Sequence, residues 1–261
     1  MTTLELRDVV KEYRLARRTL RAVDGVSLTL EPGRTIALVG QSGSGKSTIA
    51  KLLMQLERPT SGQILVDGSP VARRGRGLRE YRKAVQMVFQ DPFASLNPYH
   101  SIGHHLARPV ALHHPGFSAA QVRERVLDLL RRVRLDTDYA DRRPHELSGG
   151  QRQRVAIARA LAPEPGILVA DEPVSMLDVS IRLGVLNLLS RLQREENLGV
   201  LYITHDLATA RHFSDEILVL FQGQVVERGP ADDVILHPQH AYTQLLAQAA
   251  PDPDRRLAEL T

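Results

Sequence analysis

The chain has 261 residues, 43% of them hydrophobic and 25% charged, with a formal net charge of +4, the balance of an ordinary globular protein with length for one large or two small domains. It has no Cys, which excludes disulfides, thiol catalysis and Cys-held zinc or iron–sulfur sites, and with no Trp and 4% aromatics it is poorly equipped as a stacking platform for single-stranded nucleic acid. No apolar run approaches the roughly 18 residues that span a bilayer and no signal-peptide pattern opens the chain, so the expected location is cytoplasmic, with any membrane role exercised through a partner.

In chain order, Leu4 to Val10 alternates weakly and predicts a strand. Tyr13 follows, then a basic segment with Arg14, Arg17, Arg18 and Arg21. Val23 to Leu30 alternates well, and Glu31-Pro32-Gly33 marks a turn. Thr35 to Val39 is a short apolar run that reads as a buried strand, and Ile49 to Leu56 reads as a helix. Between them stands Gly40-Gln41-Ser42-Gly43-Ser44-Gly45-Lys46-Ser47, a phosphate-loop pattern in its expected strand-before, helix-after setting. Its glycines allow backbone N–H groups to turn toward a phosphate, and the helix N-terminus adds a favourable dipole. Lys46 can reach the β- and γ-phosphates and the Ser47 hydroxyl can ligate Mg²⁺. Gly40 through Thr48 is therefore the candidate binding loop.

Gln63 to Val66 predicts a further strand, residues 72–83 an exposed Arg-rich loop and short helix, and Val85 to Phe89 a strand. Residues 91–147 read as a small helical insertion, with helical apolar spacing from Ser118 to Val133. A helix opens at Ser148-Gly149-Gly150 and runs through Leu161, Ile167 to Ala170 is a continuous apolar strand, and Val179 to Glu196 is a long helix. Strands at Val200 to Ile203 and Glu216 to Leu220 flank a short helix; Gln224 to Glu227 closes a hairpin. From Pro230 the chain reads as helical, ending in the Pro/Asp/Arg-rich tail 251–261. Strands alternating with helices imply a mostly parallel sheet covered on both faces.

Three further stretches carry chemistry beside the loop. The apolar strand ends in Asp171-Glu172, which places Asp171 to hold Mg²⁺ and Glu172 to polarise an attacking water. Leu147-Ser148-Gly149-Gly150-Gln151 presents a hydroxyl and bare N–H groups at a helix N-terminus, an anion site that serves best for a nucleotide held by another subunit, with a simple Ser N-cap and glycine turn as the competing reading. Gln90 ends a strand where it can touch both Mg²⁺ and the helical insertion, and His205, after an apolar strand, is a candidate donor to a γ-phosphate.

The ordered set of phosphate loop, Gln90, Leu147–Gln151, the acidic strand to Glu172, Asp178 and His205 resembles the nucleotide-binding subunit of ATP-binding cassette transporters from about Leu4 to Arg228. The resemblance implies an α/β fold: a P-loop NTPase, RecA-like core with a mostly parallel sheet, an N-terminal antiparallel β subdomain and a small α-helical subdomain. It divides the chain into a core at 1–90 and 148–229, a helical subdomain at 91–147 and a C-terminal extension at 230–261. It implies ATP and Mg²⁺ as ligands, with Ser47, Gln90 and Asp171 toward the metal. Glu172, His205, Lys46 and Gln90 become the catalytic set. Tyr13 would stack on the adenine, with a strand-end core residue as the competing reading. Ser148, Gly149, Gly150 and Gln151 would meet the partner's nucleotide, and Asp178 would lie in the loop linking the two sites.

A finer resemblance, carried by Val88 to Pro98 and by His237-Pro238-Gln239-His240-Ala241-Tyr242-Thr243-Gln244-Leu245-Leu246 with Pro251-Asp252-Pro253, is to importers of dipeptides, oligopeptides or nickel. Its implied partners are two transmembrane permease subunits, a second, paralogous ATPase subunit and, indirectly, an extracytoplasmic solute-binding protein. Val174 and Met176 depart from the family's usual Thr and Ala, and tuning of the dimer contact is expected there. A soluble cassette ATPase acting on nucleic acid or the ribosome is the alternative that the basic segments 14–21 and 73–83 allow.

Overall fold

The computed structural model describes residues 2–15 and 18–249. Strands β1 (Leu4–Leu15) and β2 (Arg18–Leu30) are antiparallel partners. Strand β3 (Thr35–Val39) leads through the phosphate loop into α1 (Lys46–Leu53). Strands β4 (Ser61–Val66) and β5 (Ser69–Pro70) complete an antiparallel sheet of order β2-β1-β4-β5. Helix α2 (Gly75–Ala84) precedes β6 (Val85–Val88). Helices α3 (Pro92–Ser95), α4 (Ile102–His113) and α5 (Ala119–Arg132), with two short 3₁₀ turns at Thr137–Asp141 and Pro144–Glu146, lead to α6 (Gly149–Leu161). Then come β7 (Ile167–Asp171), α7 (Val179–Glu195), β8 (Gly199–Thr204), α8 (Leu207–Phe213), β9 (Glu216–Phe221), β10 (Gln224–Pro230), α9 (Ala231–Leu236) and α10 (Ala241–Ala249).

The second sheet has the order β10-β9-β3-β8-β7-β6 and is parallel except for the β9–β10 hairpin. Its central strands are apolar at nearly every position because both faces are covered. Ala37, Val39, Leu168, Ala170 and Val200 face a core shared with α4, α5 and α6 through Leu106, Leu129 and Ile157. The alternate residues Ile36, Leu38, Val169 and Leu201 face a second core with α1 and the antiparallel sheet through Ile49, Leu52, Leu4 and Leu28. One β period thus feeds two cores, and the fold is the α/β P-loop arrangement expected.

Several boundaries differ from the pattern in the sequence. The first strand runs on to Leu15 because its charged residues find partners across the sheet: Lys11 Nζ donates to Glu57 at 2.8 Å and to Arg58 O at 2.9 Å, and Arg21 donates to Glu12 at 3.0 Å. The helix after the phosphate loop begins at Lys46 and stops at Leu53, three residues earlier at each end than its apolar residues suggested. Phe89 lies beyond the end of β6 and is 44% exposed. The final strand continues to Pro230, so helix begins only at Ala231. The tail 251–261, including Pro251-Asp252-Pro253, lies outside the described residues, as does Arg17.

Within 72–83 the expected exposed segment hides an anchor. Tyr81 on α2 is buried, and its hydroxyl donates to Leu53 O at 2.5 Å. Burial pushes its phenol pKa well up, so the group stays protonated and donating. Tyr81→Phe strands the end of α1 without that donor, and urea unfolding should show a loss of about 1–3 kcal/mol. An unchanged midpoint would mean water replaces the hydroxyl there.

Candidate active site

Four neighbouring strands, in the order β3-β8-β7-β6, end on the same edge of the parallel sheet. From those carboxyl ends come, in turn, the phosphate loop, His205, Asp171 with Glu172, and Gln90. Ligands of open α/β sheets gather at this edge because the loops there are free to turn over it. Residues up to 165 positions apart, Gly40 and His205, are thereby brought to one cleft's rim by topology.

The loop's backbone is built by close approach. A Cβ on Gly40 would stand 2.3 Å from Leu220 O, and one on Gly45 2.4 Å from Ala22 O. Gly45 also has φ +116°, a conformation that side chains rarely adopt. It caps α1, whose first intrahelical bond is Ile49 N–H to Gly45 O at 3.0 Å. The helix itself therefore supplies no acceptor to the N–H groups of Lys46, Ser47 and Thr48, which is what an anion needs. Lys46 is buried and its Nζ folds back across the loop, donating to Gly40 O at 2.5 Å and Gln41 O at 3.0 Å. Burial lowers its pKa, and the carboxylates of Glu172 and Asp171 oppose that shift. Among the described residues, the buried Ser44 hydroxyl oxygen meets no hydrogen-bond partner.

Beside the loop is a cleft of about 970 Å³, lined among others by Tyr13, Lys46, Ser47, Gln90, Glu172 and His205. Glu172 is gripped at both carboxylate oxygens: Gln90 Nε2 donates to one at 3.1 Å, and His205 Nδ1 lies 3.1 Å from the other. Its backbone is held as well, with φ +43°, its N–H donating to Ile203 O at 2.9 Å and its carbonyl accepting from Ser175 N–H at 3.2 Å. A non-glycine residue in the left-handed region is strained, and the surrounding bonds over-determine it. The Glu172 side chain is 18% exposed and that of His205 59%, so the pair sits at the cleft mouth with the carboxylate on the inner side.

Asp171 lies one residue back along the strand. Burial raises its pKa, the nearby Glu172 raises it further, and Lys46 pulls it down. Asp171 lines a neighbouring groove and Ser47 and Glu172 the cleft, with Gln90 on the wall of both; with Lys46 near the two carboxylates, these oxygens are a hard donor set of the kind that suits Mg²⁺. A loop whose helix leaves its first N–H groups without acceptors, beside a folded-back ammonium, suits a polyphosphate.

The remaining candidates divide between this cleft and a second one. Tyr13 is half-buried on β1 and lines the cleft with Leu20 and Ala22, with Lys11 Nζ 4.9 Å from its ring centroid; it is not a core residue. Gly40 and Ser44 support the loop from beneath, while Gln41, Ser42, Gly43 and Thr48 line the cleft. Ser148 caps α6 in a reciprocal box: its hydroxyl accepts from Gln151 N–H at 3.3 Å, and Gln151 Oε1 accepts from Ser148 N–H at 2.8 Å. Ser148, Gly150 and Gln151 line a separate cleft of about 300 Å³ that shares no residue with the first. Gly150 is also required by packing, since a Cβ there would stand 2.5 Å from Ile181 Cγ2. Gly149 is half-buried beside it, and Asp178 is exposed at the N-cap of α7. Of the two departures from the family pattern, Val174 is buried in the chain's own core, whereas Met176 is 57% exposed. The sequence reading missed Leu246, which lines the cleft from α10, and Tyr242, whose hydroxyl accepts the Gln41 N–H at 2.9 Å. Neither bears a spacing signal, because they approach the loop from some 200 residues downstream.

Comparison with known proteins gives a consistent set of likenesses. A profile of the ABC transporter family matches residues 23–175, and one described as oligopeptide/dipeptide transporter, C-terminal region, matches residues 226–261. The oligopeptide transport ATP-binding protein OppF of Salmonella typhimurium is 47% identical over 91% of this chain and 71% of its own length. The dipeptide transport ATP-binding protein DppF of Escherichia coli is 42% identical over 97% of this chain and 78% of its own. Among solved structures, the ATP-binding cassette MJ0796 in a dimeric post-hydrolysis state with ADP and Pi superposes with a TM-score of 0.76 at 32% identity, covering 87% of this chain and 98% of that one. The cassette cbiO1 of Clostridium perfringens superposes with a TM-score of 0.80 at 29% identity, over 90% of each chain.

Proposed function

The chain belongs to the ABC transporter family and is an ATP-binding, ATP-hydrolysing cassette, and from that premise we propose that it energises an importer of dipeptides or oligopeptides. The observation that carries the chemistry is Glu172 held at both oxygens on the wall of the phosphate-loop cleft. The cargo class is supported by the C-terminal match at 226–261 and by relatives named for oligopeptide and dipeptide transport, which favour peptide over nickel.

In this reading the phosphates of ATP lie along the N–H groups of the loop, with Lys46 on the β- and γ-phosphates. Ser47, Gln90 and Asp171 would hold Mg²⁺, which supplies positive charge against the phosphate oxygens. Glu172 orients a water against the γ-phosphorus and takes its proton as the bond to the bridging oxygen breaks. His205 and Gln90 keep that carboxylate in place, and the other face of His205 is free to steady the γ-phosphate. Tyr13 offers a ring to the adenine.

The separate cleft at Ser148, Gly150 and Gln151 supports a sandwich in which each chain closes its partner's site, with Asp178 in the connecting loop. A groove of about 880 Å³ beside Gln90, with Phe89 exposed on its wall, is suited to cytoplasmic helices of two permease subunits. Closing the sandwich would then drive alternating access, with the 91–147 helices moving against the ATP-binding core. No helix among the described residues is long and apolar enough to cross a membrane, so attachment at the cytoplasmic face would be peripheral. The second cassette is proposed to be a paralogue, and a solute-binding protein would deliver the peptide from outside. The nucleic-acid alternative is weakened because Arg21 pairs with Glu12 and Asp24, and Arg76 with Glu80.

Affinity purification of this chain from detergent-solubilised native membranes tests the reading. Two multi-span proteins and a second cassette should be recovered. Recovery of only soluble proteins or nucleic acid would withdraw the transport role and leave the ATPase.

A further inference from the structure

The peptide unit joining Gly40 to Gln41 is held from both sides. Its carbonyl, Gly40 O, accepts the Lys46 ammonium at 2.5 Å, and its N–H donates to the Tyr242 hydroxyl at 2.9 Å. Because a peptide is planar, fixing the N–H fixes the direction of the carbonyl on the opposite edge. The next carbonyl, Gln41 O, accepts from Lys46 Nζ at 3.0 Å and from Ser44 N–H at 3.2 Å. One tyrosine thus orients the first link of a loop whose later links face the phosphates.

Tyr242 is itself firmly set. It is buried, and its ring lies against Phe221 with centroids 4.2 Å apart. The turn before its helix is moored to the sheet by Glu227 on β10, whose carboxylate accepts the N–H groups of Gln239 at 2.8 Å and His240 at 3.0 Å. One turn further along α10, Leu246 is buried and lines the nucleotide cleft. The helix is therefore part of the site's wall, although it lies in the C-terminal segment beyond the cassette match.

We propose that α10 is a positioning element for ATP binding, in which the Tyr242 hydroxyl holds the Gly40–Gln41 peptide in the orientation that keeps Lys46 and the phosphate loop preorganised. This deepens the ATP-binding reading and rests on it. A loop held in its binding conformation loses less freedom when phosphate arrives, so the contribution appears in affinity and not in the bond-breaking step.

Tyr242→Phe removes the acceptor and keeps the ring. Calorimetric titration of the full chain with ADP should show Kd raised about 3- to 10-fold, the scale of one lost hydrogen bond. KM for ATP should rise with it, kcat should change by less than about twofold, and the thermal midpoint of the nucleotide-free chain should stay put. Phe221→Leu loosens the ring packing while leaving the hydroxyl and should raise Kd by less than Tyr242→Phe does. An unchanged Kd in Tyr242→Phe would overturn the proposal. So would an equal loss of affinity in Phe221→Leu, because packing and not the hydroxyl would then be responsible. The parent titration separates the two levels: if the unaltered chain binds no ADP, the nucleotide site itself is misplaced.

Discussion

Glu172→Gln should cut ATP turnover by about 10²- to 10⁴-fold while nucleotide binding survives. The glutamine side chain has nearly the same shape, and its amide can still accept from Gln90 Nε2 or reach His205, the two groups that lie 3.1 Å from the carboxylate. The strained backbone at φ +43° suits glutamine no worse than glutamate. What disappears is the negative charge and the ability to take a proton from water. Binding should hold or tighten, since one of the two carboxylates near the phosphates is neutralised. Phosphate release under saturating ATP, paired with a nucleotide titration, reads both quantities. Near-normal turnover with intact binding would remove Glu172 from the chemistry.

Gly45→Ala should abolish nucleotide binding at accessible concentrations and cost about 2–4 kcal/mol of stability, in the range of core overpacking plus backbone strain. The added methyl meets Ala22 O at 2.4 Å and Leu220 Cδ2 at 3.3 Å, and φ +116° is outside what alanine tolerates. Neither neighbour can yield cheaply, because one is backbone of β2 and the other is a core residue of β9. Gly43→Ala is the internal control. Gly43 has φ +81°, but a methyl added there meets nothing within 4 Å, so only the conformational cost of about 1–2 kcal/mol is expected. Urea unfolding of the two variants should separate them. Equal losses would mean that the close approach at Gly45 relaxes without cost.

The strand–loop–helix around Lys46 and the apolar strand ending in Asp171-Glu172 were legible in the sequence because each is a local pattern: a residue set, a period and a boundary within a dozen positions. The β1 extension was not, since Lys11, Glu12 and Arg14 break alternation and the partners of the first two, Glu57 and Arg21, are supplied by other segments. Tyr81 read as part of an exposed Arg-rich stretch because the carbonyl it serves lies 28 residues earlier. The strand order β3-β8-β7-β6, which gathers the candidate residues on one edge, has no local signature at all. The same holds for Tyr242: the family resemblance drew attention to its segment, but only the folded chain brings its oxygen to Gln41.

The phosphate loop and the Ser148 loop line clefts with no residue in common. If each cleft is completed by another chain, catalytic rate becomes a property of encounters and not of molecules. At high dilution an equimolar mixture of this chain and its paralogous partner would hydrolyse ATP with a rate that grows as the square of their concentration, flattening only once pairs dominate. Specific activity, usually treated as a constant of an enzyme, would here be a titration curve for association.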